Sequence, residues 1–230
     1  MDMFSRKDLV RLFAPLLVEQ LLAVLVGMAD VVMVAAVGET AVSGVALVDS
    51  ISVLIIQVLS AMATGGAVVC SQYIGKKKPE QACQAAGQLV LITAALSLLI
   101  AAVAFIGNRH LLRLIFGSVE ASVMDNAQTY FWFTAMSYPF LALYNSGAAL
   151  FRSMGNSKVS MKVSLAMNAI NVAGNALCVF GLHMGVEGVA IPTLVSRMFA
   201  AVVMVILVRS PKNSIRVYSF RQLVPQLDMI

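Results

Sequence analysis

Six apolar runs, each long enough to cross a bilayer, dominate this chain of 230 residues. A helix needs about 20 apolar residues to span the hydrocarbon core. The runs Leu9–Val37, Ala41–Ile74, Cys83–Ile106, Met124–Phe151, Val159–Gly181 and Val186–Val208 all meet that length. Several are longer than the core requires, which implies tilt or protrusion. Hydrophobic residues make up 60% of the chain and charged residues 12%, whereas a soluble domain has about 45–50% and about 25%. The expectation is an all-α integral membrane protein with one six-helix bundle over residues 1–208, followed by a basic tail or linker over residues 209–230. A short stretch, Arg109–Gly117, mixes charges with Leu111, Leu112, Leu114, Ile115 and Phe116. It reads as an amphipathic turn along the interface or as a plain loop.

The basic residues give the direction of the crossings. Arg6, Lys7 and Arg11 precede the first run, Lys76–Lys78 follow the second, and Arg152, Lys158 and Lys162 bracket the turn after the fourth. Arg209, Lys212, Arg216 and Arg221 follow the sixth, so thirteen of the sixteen basic residues fall on one side. By the positive-inside rule that side, with both termini, is cytoplasmic, and the plasma membrane is the expected location. Glu39, Glu120, Asp125 and Glu187 fall on the other side and carry little topological weight. A net charge of +5 spread in short clusters between apolar runs points to membrane topology and not to a nucleic-acid partner.

Several chemistries have no footing here. Cys70, Cys83 and Cys178 form no CxxC pair, and Cys70 and Cys178 sit in apolar surroundings as small packing residues. His110 and His183 fall in expected loops, far apart. HExxH, GxSxG and GxxxxGK[ST] patterns are missing, so neither catalysis nor a metal or other resident cofactor is expected.

The polar residues inside the apolar runs are the informative ones. Asp30 lies in the first run, where a carboxylate at mid-membrane costs roughly 2.5–3.5 kcal/mol to insert. Such a group usually binds a cation or carries a proton; the other reading places it at the headgroup level. Pro15, fifteen residues earlier, removes a backbone hydrogen bond and tends to kink a helix. A kink coupled to a titratable group and a static kink are both open. In the second run, Asp49 is a second acidic candidate, and Gly65–Gly66 allow close backbone approach to a neighbour. Asn168, Asn171 and Asn175, spaced i, i+3, i+7, share one helical stripe. They either hold helices together or line a wet cavity; three amides on one line favour the cavity. Arg197, about three turns from the end of the last run, is expected to snorkel outward, with pairing to a buried acid as the other reading.

Four segments together resemble the first half of a multidrug and toxic compound extrusion (MATE) transporter. They are Gly27–Met28–Ala29–Asp30 after a proline, Ser71–Gln72–Tyr73–Ile74–Gly75 before the lysines, and Phe151–Arg152–Ser153–Met154–Gly155–Asn156. The fourth is Asn171–Val172–Ala173–Gly174–Asn175 followed by Gly185–Val186–Glu187–Gly188–Val189–Ala190–Ile191–Pro192–Thr193. The resemblance covers nearly the whole chain and implies that the bundle is the N-terminal lobe of a twelve-helix antiporter with an alternating central cleft. It implies export of amphipathic, often cationic drugs or organic cations in exchange for H⁺ or Na⁺. It also implies a lipid bilayer around the chain and a second six-helix half, or another copy of this chain, as partner.

Carried over by residue, the resemblance makes Asp30 the coupling acid, with Asn171, Asn175 and Thr193 as its cation-binding or hydrogen-bonding neighbours. It also makes Pro15 the helix-one kink and places Tyr130 at the same pocket; Asn168 and Asp49, read from their places in the runs, are the other expected residues of the substrate cleft. The family's pattern has Asp where this chain has Asn175, so one carboxylate is missing from the expected pair. A lipid-linked saccharide flippase of the same superfamily would want a cleft ringed with Arg and Lys, and only Arg197 is available inside a run. A non-transporting membrane subunit or scaffold would show polar faces fully consumed by packing.

Overall fold

In the computed structural model, which describes residues 6–211, 213–215 and 217, six long helices form one bundle. They are α1 (Arg6–Val37), α2 (Glu39–Gly75), α3 (Pro79–Phe116), α4 (Ala121–Ser153), α5 (Ser157–Ala176) and α6 (Glu187–Val208). A π-helical turn, Leu177–Gly181, extends α5. Connections of one to five residues leave no length for crossovers, so successive helices reverse direction. Cross-helix bonds agree with this alternation. α2 and α4 run parallel, with Asn126 donating to Thr40 at 3.2 Å and Ser52 and Tyr138 sharing a bond of 3.0 Å. α3 and α4 run antiparallel, joined by Thr93–Ser146 at 2.7 Å and by Asn108 Nδ2 to the Gln128 carbonyl at 2.9 Å.

Five of the six helices are long and apolar enough to cross a membrane; α4 is not. The reason is its place. α4 packs against α2, α3 and α6, and 17 of its 33 residues are buried. On the faces it turns to its neighbours, such a helix can carry Thr134, Ser137, Tyr138 and Ser146 without exposing them to lipid. Two apolar cores lie on either side of this hydroxyl layer. One contains Cys70, Leu150, Phe151 and Met204; the other contains Val48, Leu112, Phe131 and Val189.

Small residues set the closest approaches. A Cβ on Gly44 of α2 would come within 2.9 Å of the α4 backbone, and one on Gly174 of α5 within 2.7 Å of Pro192 in α6. Of the expected glycine pair, Gly66 packs tightly against Leu89 of α3, while a Cβ on Gly65 would meet open space.

Three expectations need correction. The stretch Arg109–Gly117 is neither an interfacial turn nor a loop, because α3 continues through Phe116 and stops at Gly117, whose φ of +70° suits glycine. His110 is therefore helical. Charged residues lowered the hydropathy there without breaking the helix, since Arg is a good helix former. The third correction, Arg197, belongs to the site below. His183 is in a loop, at a φ of +52°. α1 runs unbroken past Pro15, which is buried. Of the basic tail expected at 209–230, residues 212, 216 and 218–230 lie outside the described residues, while its first part folds back on the bundle. There Ile215 is fully buried, and its backbone N–H donates to Met154 Sδ at 3.4 Å.

Candidate functional site

A cavity of about 460 Å³ opens among α1, α2, α4, α5 and α6. Its polar lining comes from Asp30, Asp49, Tyr130, Asn168, Asn171, Thr193, Ser196 and Arg197. Helical spacing delivers these groups: Asn168 and Asn171 are one turn apart on α5, and Thr193, Ser196 and Arg197 follow i, i+3, i+4 on α6.

A chain of hydrogen bonds joins three of the helices. Asn175 Nδ2 donates to Asp30 Oδ1 at 2.7 Å, and lies 3.5 Å from Asn171 Oδ1. Asn171 Nδ2 donates to Thr193 Oγ1 at 2.9 Å, and Thr193 in turn donates to the Val189 carbonyl at 2.9 Å. Asp30 is thus held from α5 and linked through two amides to α6. Two amide atoms in this region, Asn175 Oδ1 and Asn168 Nδ2, are buried without a hydrogen-bond partner among the described residues. Unpaired buried polar atoms are costly; Asn168 is part of the cavity lining, while Asn175 lies behind it, fully buried.

Asp49 lies on the α2 wall of the cavity, exposed to it, and the Tyr130 side chain lines the same space. Arg197 corrects the expectation of an outward, snorkelling side chain. Its Nη1 donates to Ser137 Oγ on α4 at 2.6 Å, and its charge acts on both Asp30 and Asp49. Ten residues into α6 it lies at mid-helix, so reaching either end would require giving up this hydroxyl. The cavity therefore holds two carboxylates and one guanidinium. The spacing Thr193–Ser196–Arg197 was a sequence signal for this face.

A second polar cluster, not expected from the sequence, lies nearer the start of α1. Glu19 accepts from the Tyr144 hydroxyl at 3.0 Å and from Ser160 at 3.3 Å, and Arg152 stands 3.9 Å away. It joins α1 to α4 and α5 four residues beyond Pro15.

The MatE family model matches residues 15–177. An uncharacterized transporter, YisQ, of Bacillus subtilis (strain 168) is 30% identical over 198 residues, covering 84% of this chain and 43% of that protein. A probable multidrug resistance protein, NorM, of Thermotoga maritima is 26% identical over 203 residues, covering 85% and 43%. Among solved structures, MATE in the bent conformation has a TM-score of 0.88 at 19% identity, covering 97% of this chain and 50% of that one. A MATE family transporter of the MOP superfamily, in an outward-facing conformation, has a TM-score of 0.89 at 19% identity, covering 97% and 49%. The chain spans about half the length of the relatives it matches. Fold, membrane-crossing helices and the matched sequence agree: this chain belongs to the MatE family of membrane transporters.

Proposed function

We propose that this chain forms one lobe of a secondary antiporter that exports amphipathic, cationic compounds in exchange for H⁺ or Na⁺. The observation that carries the reading is Asp30 on a cavity wall, tied through Asn175 and Asn171 to Thr193. In this reading Asp30 takes up the coupling ion. Loss of the Asn175 bond then frees α5 and α6 to shift against α1. The carboxylates and the Tyr130 ring suit an organic cation, electrostatically and by cation–π contact. A second six-helix half, in the same polypeptide or another copy, completes the cleft. The basic residues at one end of the bundle support a plasma-membrane orientation with both termini cytoplasmic.

Exchanging one monovalent cationic substrate for one ion moves no net charge, so the about 2.3 kcal/mol per charge of a 100 mV potential cancels. The ion's own concentration gradient then drives export, at roughly 1.4 kcal/mol per tenfold. A flippase of anionic lipid-linked sugars has less support, because one guanidinium faces two carboxylates. A scaffold has less support as well, because the polar groups border open space.

The test is export of a cationic dye from liposomes containing the purified chain, alone or with a second bundle, under imposed pH or sodium gradients. Gradient-driven efflux that Asp30→Asn abolishes, with insertion intact, supports the reading. Efflux unchanged in that variant removes Asp30 from the mechanism.

A further inference from the structure

α4 has two functional faces. Tyr130 and Leu141 point into the polar cavity, whereas Met136, Phe140 and Leu143 line an apolar groove shared with α3. At 100° per residue the two sets lie on different faces of the helix, about 120° apart. The groove has a volume of about 610 Å³, and its α3 wall is formed by Leu98, Ala102, Phe105 and Ile106.

The same stripe of α3 continues past the groove. Ile106, Arg109 and Arg113 follow i, i+3, i+7, so the apolar wall runs directly into two guanidiniums. Arg109 and Arg113 line a separate cavity of about 410 Å³, closed by Gly117, Ser118 and the first turns of α4. Among the described residues neither arginine is in an ion pair. Asp125 also borders this cavity, which leaves two positive charges facing one negative. At the junction, Phe105 and Trp132 pack with ring centroids 3.9 Å apart and planes tilted by 46°. Both rings are partly exposed, an arrangement typical of the depth where acyl chains meet headgroups.

We propose that this stripe is a binding site for an anionic phospholipid, with the phosphate on Arg109 and Arg113 and one acyl chain along the α3–α4 groove. Guanidinium forks match phosphate oxygens in a bidentate way. Acyl chains gain little by exchanging one apolar neighbour for another, so the groove orients the lipid and the arginines choose its charge. Small side chains at Ala101 and Ala102 give the chain its depth.

Mixed micelles of phosphatidylglycerol and phosphatidylcholine in equal amounts provide the test, with retained lipid quantified by mass spectrometry after purification of the full chain. The wild type retains phosphatidylglycerol over phosphatidylcholine by about fivefold to tenfold, the scale of one or two charge-assisted bonds. Arg109→Gln with Arg113→Gln returns the ratio to that of the micelle, while the paired Lys variants keep part of the preference. Ala102→Trp, which fills the groove, lowers phosphatidylglycerol retention with both arginines present. An even ratio in the wild type, or a preference that survives the Gln pair, overturns the proposal. So does displacement of the lipid by millimolar inorganic phosphate, which would make this a site for free phosphate.

Discussion

Asn175 Nδ2 sits 2.7 Å from Asp30 Oδ1, while the oxygen of the same amide is buried and accepts no hydrogen bond among the described residues. Asn175→Asp would put a second negative charge against Asp30, and two carboxylates in contact need a shared proton or a cation between them. The expected outcome is sodium-dependent stability. The thermal midpoint of the variant in detergent should rise by about 3 °C or more in NaCl over choline chloride, on the scale of roughly 1 kcal/mol of binding free energy. A midpoint insensitive to sodium would show that the pocket does not hold that ion.

Glu19 links α1 to Tyr144 and Ser160, with Arg152 close by. Removing an acceptor strands the donors around it, at about 1–3 kcal/mol for buried groups. Glu19→Ala should therefore lower unfolding stability by that order. In a double-mutant cycle, Glu19→Gln and Tyr144→Phe should be non-additive by about 0.5–1.5 kcal/mol. Additive losses would mean that the two residues act separately.

Gly174 is where α5 and α6 touch. Its added Cβ would lie 2.7 Å from Pro192 Cβ, a contact that neither rigid group can relieve without moving a helix. Gly174→Ala should cost about 1–3 kcal/mol, the range for overpacking, and should loosen the Asn171–Thr193 bond nearby. Gly65→Ala, which meets nothing within 4 Å, serves as the control and should be nearly neutral or slightly stabilising. Circular dichroism melts in one detergent would compare them, and equal melting temperatures would count against tight α5–α6 packing.

Arg197 places a positive charge in a cavity meant, in the reading above, for cations. Arg197→Gln should tighten binding of a monovalent cationic dye by about twofold to tenfold, with the gain shrinking as salt rises. Fluorescence titration at two ionic strengths measures both effects. Weaker binding in the variant would mean that the guanidinium holds the site together and does not oppose its ligand.

Much of the architecture was legible because lipid imposes a simple length rule. The six runs match the six helices closely, the fifth running on into the π-helical turn and the sixth starting one residue before α6, and the Asn168–Asn171–Asn175 spacing identified the stripe that meets Asp30. Where reading failed, a neighbour that the local pattern cannot show was responsible. Arg197 was expected to reach outward on distance along its own helix, yet Ser137, sixty residues earlier, holds it inward. Glu19 carries no local signal of its role, because its partners lie more than 120 residues away. The end of α3 was missed for a different reason: hydropathy measures preference for lipid, and a helix that leaves the membrane keeps its backbone bonds while losing that signal.

Gly38 is the whole connection between α1 and α2, and its φ of +145° is one that side-chain-bearing residues rarely adopt. With a single residue as the joint, the two arms of this hairpin have almost no slack, so swinging the first drags the top of the second. Asp30 and Asp49 ride on opposite arms within a few turns of that joint. Neutralising either acid would be felt mechanically by the other, which makes the pair one lever with two handles.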